Sequence, residues 1–138
     1  MSIQIQNLTV TFRNGVTAID HADLEIPNGV FGLLGENGAG KTTLMRVLTT
    51  ILKPTGGCVS LDGMVYREEN YEKIQKKIGY LPQELNMYPS LTVRDFVSYM
   101  GELKGIKSKQ KVMEVLEQVD MTQFASRKIS QLSGGMKR

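Results

Sequence analysis

Gly35-Glu36-Asn37-Gly38-Ala39-Gly40-Lys41-Thr42, with Thr43 directly behind, is the stretch from which the rest of this chain can be read. It meets every fixed position of the pattern G-x-x-x-x-G-K-[ST]. Each residue type has a physical reason. Glycines reach backbone angles closed to other residues, so main-chain N–H groups can wrap an anion without side-chain clash. A helix beginning at the lysine would direct the positive end of its dipole at the same anion. Lys41 adds a full mobile charge for β- and γ-phosphates, and the Thr42 hydroxyl can ligate Mg²⁺. The glycines at 35, 38 and 40 do not make G-x-G-x-x-G, which excludes a dinucleotide loop.

The flanks agree with that reading. Residues 30–34 (Val30, Phe31, Gly32, Leu33, Leu34) form a short apolar run, predicting a strand covered on both faces in a parallel sheet. Behind the loop, Leu44, Val47, Leu48, Ile51 and Leu52 share one helical face, and Pro54 with Gly56-Gly57 stops the helix. Toward the N-terminus, Ile3, Ile5, Leu8, Val10 and Phe12 alternate as in a half-buried strand, with one slip near Asn7. Asn14-Gly15 predicts a tight turn, and Ala22, Leu24 and Ile26 a second strand. Further on, residues 59–65 read as a hairpin about Asp62-Gly63, and residues 78–81 as a brief strand closed by Pro82. Two helices follow over 93–103 and 109–119, with Thr92 (with Asp95) and Ser108 as N-caps. Together these predict an α/β fold: a partial phosphate-loop core with an N-terminal antiparallel β part and a helical insertion.

Bulk properties set the remaining bounds. The 41% hydrophobic and 22% charged residues are ordinary for a globular protein and argue against disorder. The net charge of +3 is too mild to imply a nucleic-acid partner, and none is expected. Lys73, Lys76, Lys77, Lys104, Lys107, Lys109 and Lys111 read as a solvated basic face. Cys58 is the only cysteine, so neither an intramolecular disulfide nor a cysteine zinc cluster can form, and it is expected to pack as a small hydrophobe in a strand. His21, the one histidine, sits among polar residues and reads as surface. No run approaches the roughly 18 apolar residues of a membrane span. Residues 1–6 lack the basic start and apolar run of a signal peptide, so a cytoplasmic location is expected, with docking on a membrane protein left open.

About 90 residues beyond the loop stands Leu132-Ser133-Gly134-Gly135-Met136. Alone, Ser-Gly-Gly is a flexible turn. Paired with the phosphate loop, the two motifs resemble the ATP-binding cassette (ABC) family of transport ATPases. Residues 35–43 match its Walker A loop, and Leu132, Ser133, Gly134 and Gly135 its signature motif. The resemblance implies ATP and Mg²⁺ as ligands, with Gly35, Glu36, Asn37, Gly38, Ala39, Gly40, Lys41, Thr42 and Thr43 around the nucleotide. It implies that the signature residues meet the ATP of a partner subunit. Gln83, after Ile78-Gly79-Tyr80-Leu81-Pro82, matches the family's Q-loop glutamine, a metal and γ-phosphate sensor linked to the membrane partner; the metal would thus see Thr42 and Gln83. Phe12 stands where the family has an aromatic residue against adenine, although a core strand residue would look the same. Met136 departs from the family's commonest Gln, and Glu36 from a frequent Pro. The run of residues 132–138 is most similar to drug- or ion-export subunits.

What the resemblance implies for the whole is a subunit that binds and hydrolyses ATP to drive solute transport. It would form a homodimer or pair with a second ATP-binding subunit, and sit on a transmembrane permease at the inner face of the membrane. The expected division is 1–30 mainly antiparallel β, 30–83 phosphate-loop core and hairpin, and 84–138 helical. The loop residues 87–93, with Tyr88, Pro89 and Leu91, are expected either to meet the membrane subunit or to pack beneath the following helix. The family's later apolar strand ending in Asp-Glu and its switch histidine are not found among residues 1–138. Asp62 belongs to a turn, and neither Glu84 nor Glu102 follows an apolar strand, so no catalytic base is assigned. A nucleotide-binding fragment without turnover is the alternative reading.

Overall fold

The computed structural model describes residues 1–138 except Glu84 and Asn86, so Glu84, weighed above as a catalytic acid, lies outside the described residues. The chain divides into two compact units, Met1–Tyr80 and Leu81–Arg138.

The first unit is built on a four-stranded antiparallel sheet in the order β2-β1-β3-β4. Its strands are β1 (Ile3–Thr11), β2 (Thr17–Ile26), β3 (Gly56–Leu61) and β4 (Met64–Val65). The alternation of apolar residues sets the inner face: Ile3, Ile5, Leu8 and Val10 of β1 are buried, joined by Val59 and Leu61 of β3. The slip near Asn7 is a bulge. Asn7 takes φ 51°, the register shifts between Ile5 and Leu8, and the extra residue keeps Leu8 on the inner face. Asp62 (φ 49°) and Gly63 (φ 78°) form the left-handed turn that joins β3 to β4. Helices α1 (Lys41–Leu48) and α2 (Glu68–Lys77) add Val47, Leu48 and Ile74 to this core. Burying each such aliphatic side chain contributes about 1.5–3 kcal/mol. Tyr66 is also buried, and its hydroxyl donates to the Leu48 carbonyl (2.8 Å), satisfying an orphan acceptor at the end of α1.

Two expectations fail here. Residues 30–34 form no strand, and Val30 and Leu34 are almost wholly exposed. Residues 78–81 form none either. A parallel strand takes its ladder entirely from neighbours, and neither segment pairs with any described residue; apolar composition alone supplies no hydrogen bonds. The helix after the loop is also shorter than its apolar face suggested. It stops at Leu48, and Thr50 takes φ 61°. Cys58 lies half-buried in β3, and His21 is exposed beside Asp20 (Nδ1–Oδ1 2.5 Å).

The second unit is helical. Its main helices, α3 (Val93–Leu103) and α4 (Lys109–Gln118), have the expected caps. The Thr92 hydroxyl accepts from Asp95 N (3.1 Å) and donates to the Asp95 carboxylate (2.6 Å), while the Ser108 hydroxyl accepts from Lys111 N (3.2 Å). Val93, Val112, Leu116 and Leu132 form its core, with Phe124 and Met136 against them. Short 3₁₀ turns at Thr122–Phe124 and Ile129–Gln131 lead to α5 (Gly134–Lys137). One turn of α5 closes, because the Ser133 hydroxyl accepts from Met136 N (3.3 Å) and Lys137 N reaches Ser133 O (3.1 Å).

Candidate functional site

Gly40 is the residue on which the loop turns into a helix. It caps α1 in the left-handed conformation (φ 82°, ψ 0°), and a Cβ there would lie 2.4 Å from the Ala18 carbonyl of β2. Only glycine fits that approach. Gly38 is also left-handed, at φ 88°, and between them Ala39 N donates to Glu36 O (3.2 Å). Residues 35–39 are exposed, so the main chain between the two glycines faces solvent. Leu44 N closes the first helical bond on Gly40 O (2.8 Å), which leaves the N–H groups of the preceding residues outside the helix ladder. No acidic side chain occupies the first turn of α1, and Arg46 lies in the last, so the dipole is unopposed at its positive end.

Lys41 folds back over the loop. Its half-buried ammonium donates to Gly35 O (2.7 Å) and Glu36 O (2.5 Å), drawing the two ends of the loop around one charge. A cavity of about 280 Å³ adjoins it, with Ala39, Gly40, Lys41, Ala18, Asp20 and Leu44 among its lining. The Thr42 side chain is exposed and Thr43 is half-buried. Glycine-shaped backbone, an ammonium and a hydroxyl suit a polyphosphate with a hard cation. Among the described residues there is no group of three or more His, Cys, Asp or Glu that could hold a metal.

Phe12 lies where β1 gives way to a turn: its N–H donates to Val16 O (2.8 Å) and its carbonyl accepts from Gly15 N (2.9 Å). It is 37% exposed and borders a shallow groove with Arg13, Leu52, Lys53 and Thr55, so it is not a closed-core residue. That geometry leaves a ring available for stacking.

The remaining expected site residues belong to the second unit. Gln83 is exposed, and its carbonyl accepts from the Arg138 guanidinium (3.4 Å). Leu132 anchors the signature segment in the helical core, Ser133 caps α5, and the space where Cβ atoms of Gly134 and Gly135 would stand is open. Backbone donors at 134 and 135 are therefore approachable from outside. The segment before α3 is tied to the signature side by Ser130 N to Pro89 O (3.1 Å), Ile129 N to Leu91 O (2.9 Å) and Val93 N to Arg127 O (3.0 Å). Tyr88 stays 55% exposed and meets Tyr99 edge-on, with centroids 5.8 Å apart. Sequence reasoning missed the Tyr99 ring, because an aromatic residue at helical spacing on α3 carries no mark that separates it from a core residue.

The class of protein to which this fold and loop belong is given by comparison with known proteins. The family model described as "ABC transporter" matches residues 19–138, and the chain belongs to that family as an ATP-binding domain. It is 42% identical over 137 residues to the uncharacterized ABC transporter ATP-binding protein YhaQ of Bacillus subtilis (strain 168), covering 96% of this chain and 44% of that protein. The methionine import ATP-binding protein MetN of Lacticaseibacillus paracasei is 37% identical over 147 residues, covering 99% of this chain and 41% of MetN. Among solved structures, a post-hydrolysis dimer of the ATP-binding cassette MJ0796 bound to ADP and Pi superposes with a TM-score of 0.80. It is 29% identical, covering 98% of this chain and 65% of that one. The chain spans about half the length of the curated relatives it matches.

Proposed function

We propose that this chain supplies the ATP-holding part of a transport ATPase, with residues 35–43 around the nucleotide's phosphates. The observation that carries this reading is the closed loop itself: left-handed Gly38 and Gly40, and a Lys41 ammonium held between Gly35 O and Glu36 O. On nucleotide binding the Lys41 charge exchanges these carbonyls for the β- and γ-phosphate oxygens, which accept charge-assisted bonds about twice as strong. The Thr42 hydroxyl turns to the metal, and Gln83 is assigned to the same metal. Phe12 offers its ring to the base. Bound ATP with Mg²⁺ would supply the free energy that a transporter uses. Ser133, Gly134 and Gly135 direct backbone donors at the nucleotide of a second subunit, and a transmembrane permease is the partner at the inner face of the membrane. Among the described residues, no helix is long and apolar enough to cross a membrane.

The family suggests hydrolysis of ATP by the whole protein, and no residue in 1–138 is assigned here to orient the attacking water. The export direction expected from residues 132–138 gains no support from the relatives, one of which is named for methionine import. The proposal is therefore ATP-driven transport with neither direction nor solute specified.

The test is titration of a fluorescent ATP analogue. Lys41→Ala is expected to weaken binding by about ten- to a hundredfold, the loss of one charged hydrogen-bonding partner. Unchanged affinity would remove the loop from the site.

A further inference from the structure

We propose that the turn joining α3 to α4 is a contact surface for an anionic lipid bilayer. The sequence there reads Leu103-Lys104-Gly105-Ile106-Lys107-Ser108-Lys109-Gln110-Lys111: four lysines, two aliphatic residues and no acid. In the structure every residue from 102 to 111 is exposed, and Leu103 and Ile106 are 64% and 41% exposed. Those two side chains cover no core. The turn is held by its own backbone: Gly105 takes φ 77°, and Ile106 N and Lys104 N both donate to Gly101 O (2.9 Å each).

Of the lysines expected to form a solvated face, Lys76 and Lys77 are ion-paired, while Lys73 and the four lysines of the turn are not, among the described residues. Lys53 is paired with Glu68, Lys76 with Glu72 (2.6 Å) and Lys77 with Asp62 (3.4 Å). Among the described residues, none of Lys104, Lys107, Lys109 and Lys111 has a carboxylate within 4.0 Å. The nearest acids in sequence are Glu102, and Glu114 on α4, whose carboxylate accepts from Gln110 (3.1 Å). A second observation lies beside Lys109. A groove of about 390 Å³ between α3 and α4 is lined by Arg94, Asp95, Ser98, Lys109, Val112 and Met113. Two cations, a carboxylate and a hydroxyl beside Val112 and Met113 carry a net positive charge next to apolar surface, a lining suited to a phosphate headgroup with the start of an acyl chain. Asp95 is already engaged by Thr92.

Clustered lysines carrying exposed aliphatic side chains are the composition that binds an acidic membrane surface. A single-stranded nucleic acid would need planar groups on which bases stack, and residues 103–111 contain no aromatic residue and no arginine. The bilayer is therefore the partner the chemistry fits. This inference does not rest on the nucleotide loop, so failure of the ATP titration leaves it standing.

The experiment is co-sedimentation of the chain with phosphatidylcholine vesicles, with and without phosphatidylglycerol. Binding is expected only with the anionic lipid and is expected to fall as salt screens the charges. Each lysine at such a surface changes partition by about fivefold. The combined Lys104→Gln, Lys107→Gln, Lys109→Gln and Lys111→Gln variant should therefore lose roughly a hundredfold or more. Replacing Lys53, Lys76 and Lys77 with Gln should change it little. Acylation of the unsubstituted chain gives a readout free of any folding effect: vesicles should protect the four turn lysines and leave the three paired ones reactive. Equal binding to neutral vesicles, full retention by the fourfold variant, or uniform acylation would overturn the proposal. Tighter binding of poly-uridine RNA through the same lysines would also overturn it, by making the surface a nucleic-acid site.

Discussion

Two glycines show how the same chemistry serves different ends. At Gly40 an added Cβ would meet the Ala18 carbonyl at 2.4 Å, and at Gly57 it would meet the Asn7 carbonyl at 2.2 Å. Both residues are left-handed, with φ of 82° and 79°. Gly40 shapes the phosphate loop, whereas Gly57 lets β3 approach the bulge of β1. Forcing alanine into either place costs about 1–3 kcal/mol before the clash is counted. Gly40→Ala is accordingly expected to reduce nucleotide affinity by tenfold or more. Gly57→Ala should lower the melting temperature by several degrees yet leave the affinity of the folded fraction unchanged. Calorimetric melts beside nucleotide titrations of both variants separate the two roles, and equal losses of affinity would show that the bulge supports the loop.

At the level of elements, the apolar join between α1 and the sheet also carries one buried polar contact. Burial raises the Tyr66 phenol to about 12, with the Tyr71 phenol adding to the shift, and the Tyr66 hydroxyl donates to the Leu48 carbonyl. A raised folded value means that the fold favours the neutral phenol. That stabilisation is complete below the unfolded value near 10 and is lost as pH climbs toward 12. Tyr66→Phe leaves the Leu48 carbonyl without this donor and should cost about 1 kcal/mol at neutral pH. It should also flatten the alkaline fall in stability. Denaturant midpoints taken from pH 8 upward measure both effects, and an unchanged alkaline slope would mean that another group titrates. The capped helices α3 and α4 are of a different kind, held by local hydrogen bonds that their own sequences specify.

At the scale of the molecule, one chain presents a phosphate loop and a separate glycine helix start, two complementary devices for anions. We propose that the intact protein dimerises on ATP; two solved relatives are titled as dimers, one of them bound to ADP and Pi. Gly134 has open space around its Cβ position, so Gly134→Asp should fold normally while setting a negative charge against the partner's nucleotide. Such a like-charge contact should weaken ATP-dependent dimerisation by tenfold or more, as read by light scattering on a hydrolysis-blocked form. A dimer indifferent to this charge would place the interface elsewhere.

Residues 35–43 were legible without a structure because the loop's shape depends on residue types in fixed order, glycine where φ is positive and lysine at the helix start. The same holds for the Thr92 and Ser108 caps, the Asn7 slip and the Asp62-Gly63 turn, all set by interactions spanning a few residues. Residues 30–34 mark where that reasoning ends. An apolar run states that a strand could be buried, but a ladder needs partners that no local pattern names, and the segment lies exposed and unpaired among the described residues. Which lysines are neutralised was equally hidden, since Lys77 finds Asp62 across fifteen positions of sequence while Lys104 finds no acid among the described residues. Short-range sterics and hydrogen bonds are written into neighbouring residues; pairing across a sheet and the neutralisation of charge depend on which distant groups the folded chain brings together.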